Sequence, residues 1–239
     1  MATFEIKNLV KKFGKTTALD GVSMVAQEGQ IHAFLGPNGA GKTTTIRCLL
    51  SILNPTSGSI TLFGQDAWKH SVELHKRLAY VPGDVNLWPN LTGGEVVDTF
   101  LAMRKSGPPN KARLAELTEQ FEFDPSQKCG AYSKGNRQKV TLIAALAADV
   151  ELYIFDEPTS GLDPLMAHVF EDAVADLRKK EKTVILSSHI MSEVEKLADS
   201  VSIIRKGKII ETGSMAEITK KADGKSLEDF FLSEYQDRG

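Results

Sequence analysis

The chain has 239 residues, 41% of them hydrophobic and 25% charged, an ordinary globular composition with room for one large α/β domain or a core carrying a subdomain. Its net charge of −2 leaves no basic footprint for nucleic acid, and the clusters Arg178–Lys180 and Lys220–Lys221 read as solvated helix ends. The longest apolar run, Val140 to Ala148, is broken only by Thr141 and falls far short of the roughly 20 residues that cross a bilayer. Any membrane role is therefore expected through a partner chain. Cys48 and Cys129 lack metal-ligand spacing and read as reduced thiols of a cytosolic protein. The N-terminus shows no signal-sequence pattern.

In chain order, Phe4–Leu9 and Val22–Val25 read as antiparallel strands broken by Gly14 and Gly21. The apolar strand Ile31–Leu35 runs into a glycine-rich turn and a helix over Thr43–Leu53, stopped by Asn54-Pro-Thr-Ser-Gly58. Strand Ser59–Phe63, a helically spaced segment at Lys69–Arg77 and strand Leu78–Val81 follow. From Asn86 the strand signal disappears. Helices are expected at Gly93–Arg104, Lys111–Phe121 and Gly135–Ala148, the first two separated by Ser106-Gly-Pro-Pro109, which makes this stretch an all-helical insertion. Strand–helix alternation returns with Leu152–Phe155, Pro164–Lys180, Thr183–Leu186 and Met191–Ala198. Val201–Arg205 and Lys208–Glu211 form a hairpin about Lys206-Gly207. The tail from Met215 is polar, with a helical patch at Leu227–Leu232. The expected organisation is a catalytic core at 1–85 and 151–214, a helical subdomain at 86–150 and a tail at 215–239.

The strongest chemical signal is Gly36-Pro37-Asn38-Gly39-Ala40-Gly41-Lys42-Thr43, followed by Thr44. It fits the phosphate-loop spacing in full, and it lies between a strand and a helix. Glycines let backbone N–H groups converge on phosphate oxygens, and the helix N-terminus adds partial positive charge. Lys42 is expected at the β/γ-phosphates, and the Thr43 hydroxyl on Mg²⁺. The bland alternative is a glycine-rich turn without function. A second signal is Leu152-Tyr-Ile-Phe-Asp156-Glu157, an apolar strand ending in two acids. Asp156 suits a direct or water-mediated Mg²⁺ contact, and Glu157 suits polarising a water for attack on the γ-phosphate. A third is His189, at the end of the next strand, placed to donate to the γ-phosphate; a lone histidine is otherwise structural or merely exposed.

Tyr132-Ser133-Lys134-Gly135-Asn136, leading into the helix ahead of the acidic strand, and Ser160-Gly-Leu-Asp163, just after that strand, complete an ordered set. With them the chain, from Phe4 to about Leu232, resembles the nucleotide-binding subunits of ATP-binding cassette (ABC) transporters. The resemblance implies an α/β fold of the phosphate-loop NTPase class, ABC ATPase type: a mixed-sheet core, an N-terminal antiparallel β subdomain and an inserted helical subdomain. It implies a Mg²⁺-dependent ATPase that dimerises head to tail around two ATP molecules. Ser133, Gly135 and Asn136 of one copy would close over the γ-phosphate held by the other copy's Lys42, with Asp163 at the seam. Phe13 matches the position of the aromatic that stacks on adenine, and equally suits a core aromatic behind a strand. The partners implied are a separate transmembrane permease and a second nucleotide-binding subunit, at the cytoplasmic face of the membrane. No nucleic-acid partner is expected.

Two departures stand out. Tyr132, Lys134 and Asn136 replace three residues of the usual Leu-Ser-Gly-Gly-Gln signature, although the Ser133/Gly135 pair is kept. Gly83, in Tyr80-Val-Pro-Gly83-Asp84, stands where the family usually places a glutamine that touches Mg²⁺ or the attacking water; Asp84 or backbone movement would have to replace it. The Tyr-Ser-Lys-Gly signature, the Pro-Gly-Asp segment and Leu227-Glu-Asp-Phe-Phe231 look like exporter-type bacterial subunits. The rival readings are a soluble ABC-type ATPase acting on ribosomes or DNA, and an ATP switch that does not hydrolyse.

Overall fold

The computed structural model describes residues 2–103, 110–223, 226 and 228–231. Two sheets organise the chain. The first is antiparallel: β1 (Ala2–Phe13) pairs with β2 (Thr16–Gln27) and with β4 (Ser57–Leu62), and β4 with the two-residue β5 (Gln65–Asp66). Both long strands extend beyond the sequence expectation. Their charged ends alternate poorly, so pattern alone does not mark them; cross-strand pairing with several register shifts carries them outward.

The second sheet has the order β10-β9-β3-β8-β7-β6. Its strands are β3 (Ile31–Leu35), β6 (Leu78–Val81), β7 (Leu152–Asp156), β8 (Thr183–Ser188), β9 (Ser200–Arg205) and β10 (Lys208–Ser214). All neighbours are parallel except β9 and β10. Every residue of β3 and β7 is buried, as parallel strands covered on both faces must be. The fold is therefore the mixed-sheet core with an antiparallel β layer that the sequence implies. The hairpin closes through Lys206 and Gly207, both at positive φ, the conformation of a two-residue type I′ turn.

Helix α1 (Lys42–Leu49) lies between the sheets. Its Ile46 and Leu49 share a core with Phe4, Ile6 and Leu62 of the antiparallel sheet and Leu152, Ile154 and Ile185 of the other. It ends four residues earlier than its composition suggests, because Ser51 turns to φ 54°. The segment at Lys69–Arg77 yields only the short α2 (Ser71–His75).

Between β6 and β7 the described residues hold no strand, in keeping with the helical reading. They form α3 (Gly93–Met103), α4 (Lys111–Gln120) and α5 (Lys134–Leu146); Arg104 and the Ser106–Pro109 connection lie outside the described residues. α5 is buried along its last nine residues. With Phe121, Tyr132, Phe155 and Phe170 it forms the core on the other face of the large sheet, where α6 (Pro164–Lys179) also packs. A third cluster joins β3 and β9 to α7 (Met191–Leu197) and α8 (Met215–Ala222), and it receives Phe230 and Phe231. Helix α8 was not expected; its capping box, Ser214 with Glu217, is the signal that marks it. Of the tail patch, Leu227 and Leu232 lie outside the described residues.

Candidate active site

The phosphate loop joins the carboxyl end of β3 to the N-terminus of α1, and β3 lies between β8 and β9. Adjacent strands thus deliver β7 with Asp156 and Glu157, and β8 with His189, to the same sheet edge. A cleft of about 710 Å³ opens there, lined by Asn38, Gly39, Gly41, Lys42, Thr43, Thr44, Asp156 and Glu157. Gly36 and Gly41 have no space for a side chain. A Cβ at Gly36 would stand 2.6 Å from the Ile204 carbonyl, and one at Gly41 2.8 Å from a Leu19 methyl; Gly41 also sits at φ 117°.

Lys42 is almost fully buried. Its ammonium donates to the carbonyls of Gly36 at 2.6 Å and Pro37 at 3.2 Å, and pairs with Glu157 Oε1 at 3.0 Å. His189 Nδ1 lies 3.5 Å from the other Glu157 oxygen. Lys42, Glu157 and His189 are therefore one contiguous group. Glu157 holds φ at 51°, uncommon for a residue with a side chain. Its N–H shares the Ser187 carbonyl and hydroxyl, each at 3.1 Å.

Asp156 is sealed from solvent. Oδ1 accepts from the Ser187 hydroxyl at 2.5 Å, whereas Oδ2 is buried without a hydrogen-bond partner. The Thr43 hydroxyl faces the same carboxylate. Burial pushes the Asp156 pKa up, and the Ser187 and Thr43 hydroxyls draw it back. A buried carboxylate oxygen with an uncommitted lone pair beside a threonine hydroxyl is an oxygen donor set that fits Mg²⁺. That ion usually takes one or two protein oxygens and completes its shell with water and phosphate.

The other expected residues lie elsewhere. Ser133 caps α5, its hydroxyl accepting from Asn136 N–H at 3.2 Å, and Asp163 caps α6 through Met166 N–H at 3.0 Å. These two helix starts touch each other: a Cβ on Gly135 would stand 2.5 Å from the Gly161 carbonyl. The Lys134 ammonium meets the Ser160 hydroxyl at 2.7 Å. Ser133, Gly135, Asn136 and Asp163 do not line the cleft of their own chain, although Lys134 and Ser160 do. Phe13 is 49% exposed at the end of β1, with the Lys11 ammonium 4.9 Å from its ring centroid. The core-aromatic reading of Phe13 is thereby removed.

Several cleft residues carry no local signal in the sequence. Thr16, Thr17 and Ala18 at the start of β2, and Lys206 and Gly207 of the β9–β10 turn, line it from outside the loop. Gly207 permits this meeting, since a Cβ there would stand 2.5 Å from the Ala18 carbonyl. Gly83 is equally constrained. A Cβ at that position would lie 2.8 Å from the Asp156 carbonyl, so the residue that replaces glutamine sits against the backbone of β7.

Known proteins resemble this chain in sequence and in fold. The sequence profile described as ABC transporter matches residues 19–160. The ABC transporter ATP-binding protein NatA of Bacillus subtilis (strain 168) is 34% identical over 220 residues, covering 90% of this chain and 89% of the relative. The bacitracin transport ATP-binding protein BcrA of Bacillus licheniformis is 36% identical over 230 residues, covering 95% of this chain and 74% of the relative. Among solved structures, an ATP-binding subunit of an ABC transporter superposes with a TM-score of 0.89 at 29% identity, covering 98% of this chain and 99% of that one. A dimeric ATP-binding cassette in a post-hydrolysis state with ADP and Pi shares the fold, with a TM-score of 0.80 at 24% identity over 89% of this chain and 98% of that one. This chain belongs to the ABC transporter family, as an ATP-binding and ATP-hydrolysing subunit.

Proposed function

We propose that the chain binds Mg·ATP in this cleft, pairs head to tail with a second nucleotide-binding subunit and drives export through a separate membrane-spanning partner. No described helix is long and apolar enough to cross a membrane. The peripheral, cytoplasmic-face placement is taken from the family, and export is favoured by a relative 33% identical over 219 residues that is named Nod factor export ATP-binding protein I.

On this reading, the ammonium of Lys42 exchanges Glu157 for β/γ-phosphate oxygens. Glu157 is then released to orient and deprotonate the attacking water, and His189 donates to the γ-phosphate. Thr43 and Asp156 would hold Mg²⁺, which neutralises charge developing on the phosphates. Phe13, exposed at the tip of its hairpin, would stack on adenine. Ser133, Gly135 and Asn136 sit outside their own cleft at a helix start, where a hydroxyl and free N–H groups suit an anion. They would complete the partner's site, with Asp163 at the seam.

The observation that carries coupling is the segment from Tyr80 to Asp84. Tyr80, Pro82 and Asp84 line the nucleotide cleft and also line a second cavity of about 760 Å³ on the other side. That cavity is mostly apolar, with Ile52, Val72, Leu87, Phe100 and Met103 among its walls beside His75, Lys76 and Asn86; Val72 is 74% exposed and Met103 67%. An apolar groove of this kind takes an amphipathic helix from the membrane subunit. It includes part of the helical stretch at 86–104, and a backbone shift beside Gly83 would reach both cavities.

Two experiments test the reading. Mixing a Lys42→Ala chain with a Ser133→Ala chain should restore ATPase activity, because a mixed head-to-tail dimer keeps one site with both residues intact; a mixture as inactive as its components would exclude a shared site. Cysteine crosslinking should join Val72 and Met103 to the membrane subunit. Crosslinks confined to the face formed by residues 1–35 would sink the docking assignment, and co-sedimentation with ribosomes instead of membranes would favour the soluble rival.

A further inference from the structure

Glu193 of α7 is a carboxylate buried to 7% exposure, and its two oxygens serve two different loops. Oε1 accepts the Thr159 hydroxyl at 2.6 Å, and Oε2 accepts the Ser188 hydroxyl at 2.7 Å. Thr159 stands two residues after Glu157, and Ser188 stands immediately before His189. The Ser188 oxygen also accepts the Ile190 N–H at 2.9 Å, so one hydroxyl fixes the chain on both sides of His189. Thr159 heads the turn that continues through Ser160 and closes with Leu162 N–H on the Thr159 carbonyl at 3.0 Å.

Burying a carboxylate is costly unless its oxygens are satisfied. Here the neighbouring α7 residues Val194 and Leu197 enter the core, and an apolar side chain at 193 would bury without that cost. A carboxylate offers two acceptor oxygens and no donor, which is what two hydroxyls facing one point require. Short hydrogen bonds to a carboxylate are also the stronger kind.

We propose that Glu193 is a positioning residue for ATP hydrolysis: by tying Thr159 to Ser188, it sets where Glu157 and His189 stand relative to each other. It touches neither nucleotide nor metal, and acts through the two loops that flank it. The inference rests on the catalytic roles assigned above to Glu157 and His189.

The test uses the full chain with ATP. Glu193→Ala is expected to lower kcat by about 10- to 100-fold, the scale of an ångström-level misplacement. Its KM and its affinity for a fluorescent ATP analogue should stay within about 3-fold of wild type, since ground-state binding is left intact. Thr159→Val and Ser188→Ala each remove one tie without emptying the α7 pocket. They should give smaller losses in kcat, and Thr159→Val should add less than about 2-fold on top of Glu193→Ala. Glu193→Asp should recover part of the loss.

Wild-type kcat in Glu193→Ala overturns the proposal, as does a full extra loss from Thr159→Val in that background. Should Glu193→Ala fail to fold, wild-type kcat in both folded hydroxyl variants overturns it equally. Wild-type turnover in Glu157→Gln and His189→Ala would instead bring down the catalytic assignment and the proposal with it. Inactive Glu157→Gln beside a fully active Glu193→Ala would remove the proposal alone.

Discussion

Lys42 Nζ and Glu157 Oε1 stand 3.0 Å apart, which joins the glycine-rich loop ahead of α1 to the acid proposed as the base. A pair this buried loses much when one member goes. Lys42→Ala should weaken ATP binding by at least about 100-fold, near 3 kcal/mol, read by titration calorimetry. Glu157→Gln should bind ATP at near wild-type affinity, lose about 100-fold or more in kcat and accumulate as a dimer on size exclusion with ATP. Equal turnover in wild type and Glu157→Gln would remove Glu157 as the base.

Restoring the family's glutamine should harm this chain. A Cβ at residue 83 meets the Asp156 carbonyl at 2.8 Å and the Glu157 Cβ at 3.6 Å. Gly83→Gln must therefore push β6 or β7 aside at the site. Overpacking of this kind costs about 1–3 kcal/mol, visible as a lower urea midpoint, and turnover should fall with it. Faster turnover at an unchanged midpoint would show that the backbone gives way here.

Ser133 caps α5 and, in the proposed dimer, also meets the partner's phosphate, two duties that can be separated. As the N-cap of α5, its loss should cost about 1 kcal/mol of stability. As part of the shared phosphate site, its loss should cost far more in ATPase rate than that destabilisation explains. Ser214→Ala removes the comparable cap of α8 away from the cleft, and should lose similar stability while keeping wild-type turnover. Parallel losses of activity in the two variants would reduce Ser133 to a cap.

His32 predicts a pH dependence of stability. It is fully buried in β3 between the Ser200 and Ser202 hydroxyls, at 2.8 and 3.1 Å, and burial lowers its pKa from 6.5 to about 4. Between those values the unfolded chain binds the proton that the folded chain refuses. Stability from this group is thus complete above pH 6.5 and is lost as pH falls toward about 4, by up to roughly 3 kcal/mol. Denaturant unfolding across that window should show the slope, and His32→Gln should flatten it.

The candidate site's central strip is legible because its signals are local. A strand, a glycine-rich turn and a helix start lie in one continuous stretch, and Asp156-Glu157 ends an apolar run. The pattern also marks Gly83 as a departure, but not the Asp156 carbonyl that a side chain there would meet. The walls of the cleft at Thr16–Ala18 and Lys206–Gly207, and the tie made by Glu193, were silent for the same reason. Each depends on segments brought together only by sheet order. Phe13 could not be decided between core and surface from spacing, because β1 runs past the point where alternation stops informing.

The contact between Gly135 and the Gly161 carbonyl leaves no room for a methyl group, and the Lys134 ammonium bolts the same seam through Ser160. The start of α5 and the turn after Glu157 therefore form a single fitted joint. A chimera that grafts the helical stretch of a relative onto this core would inherit only half of that joint. Residues 157–163 would have to travel with the graft for the hybrid to fold with a working site.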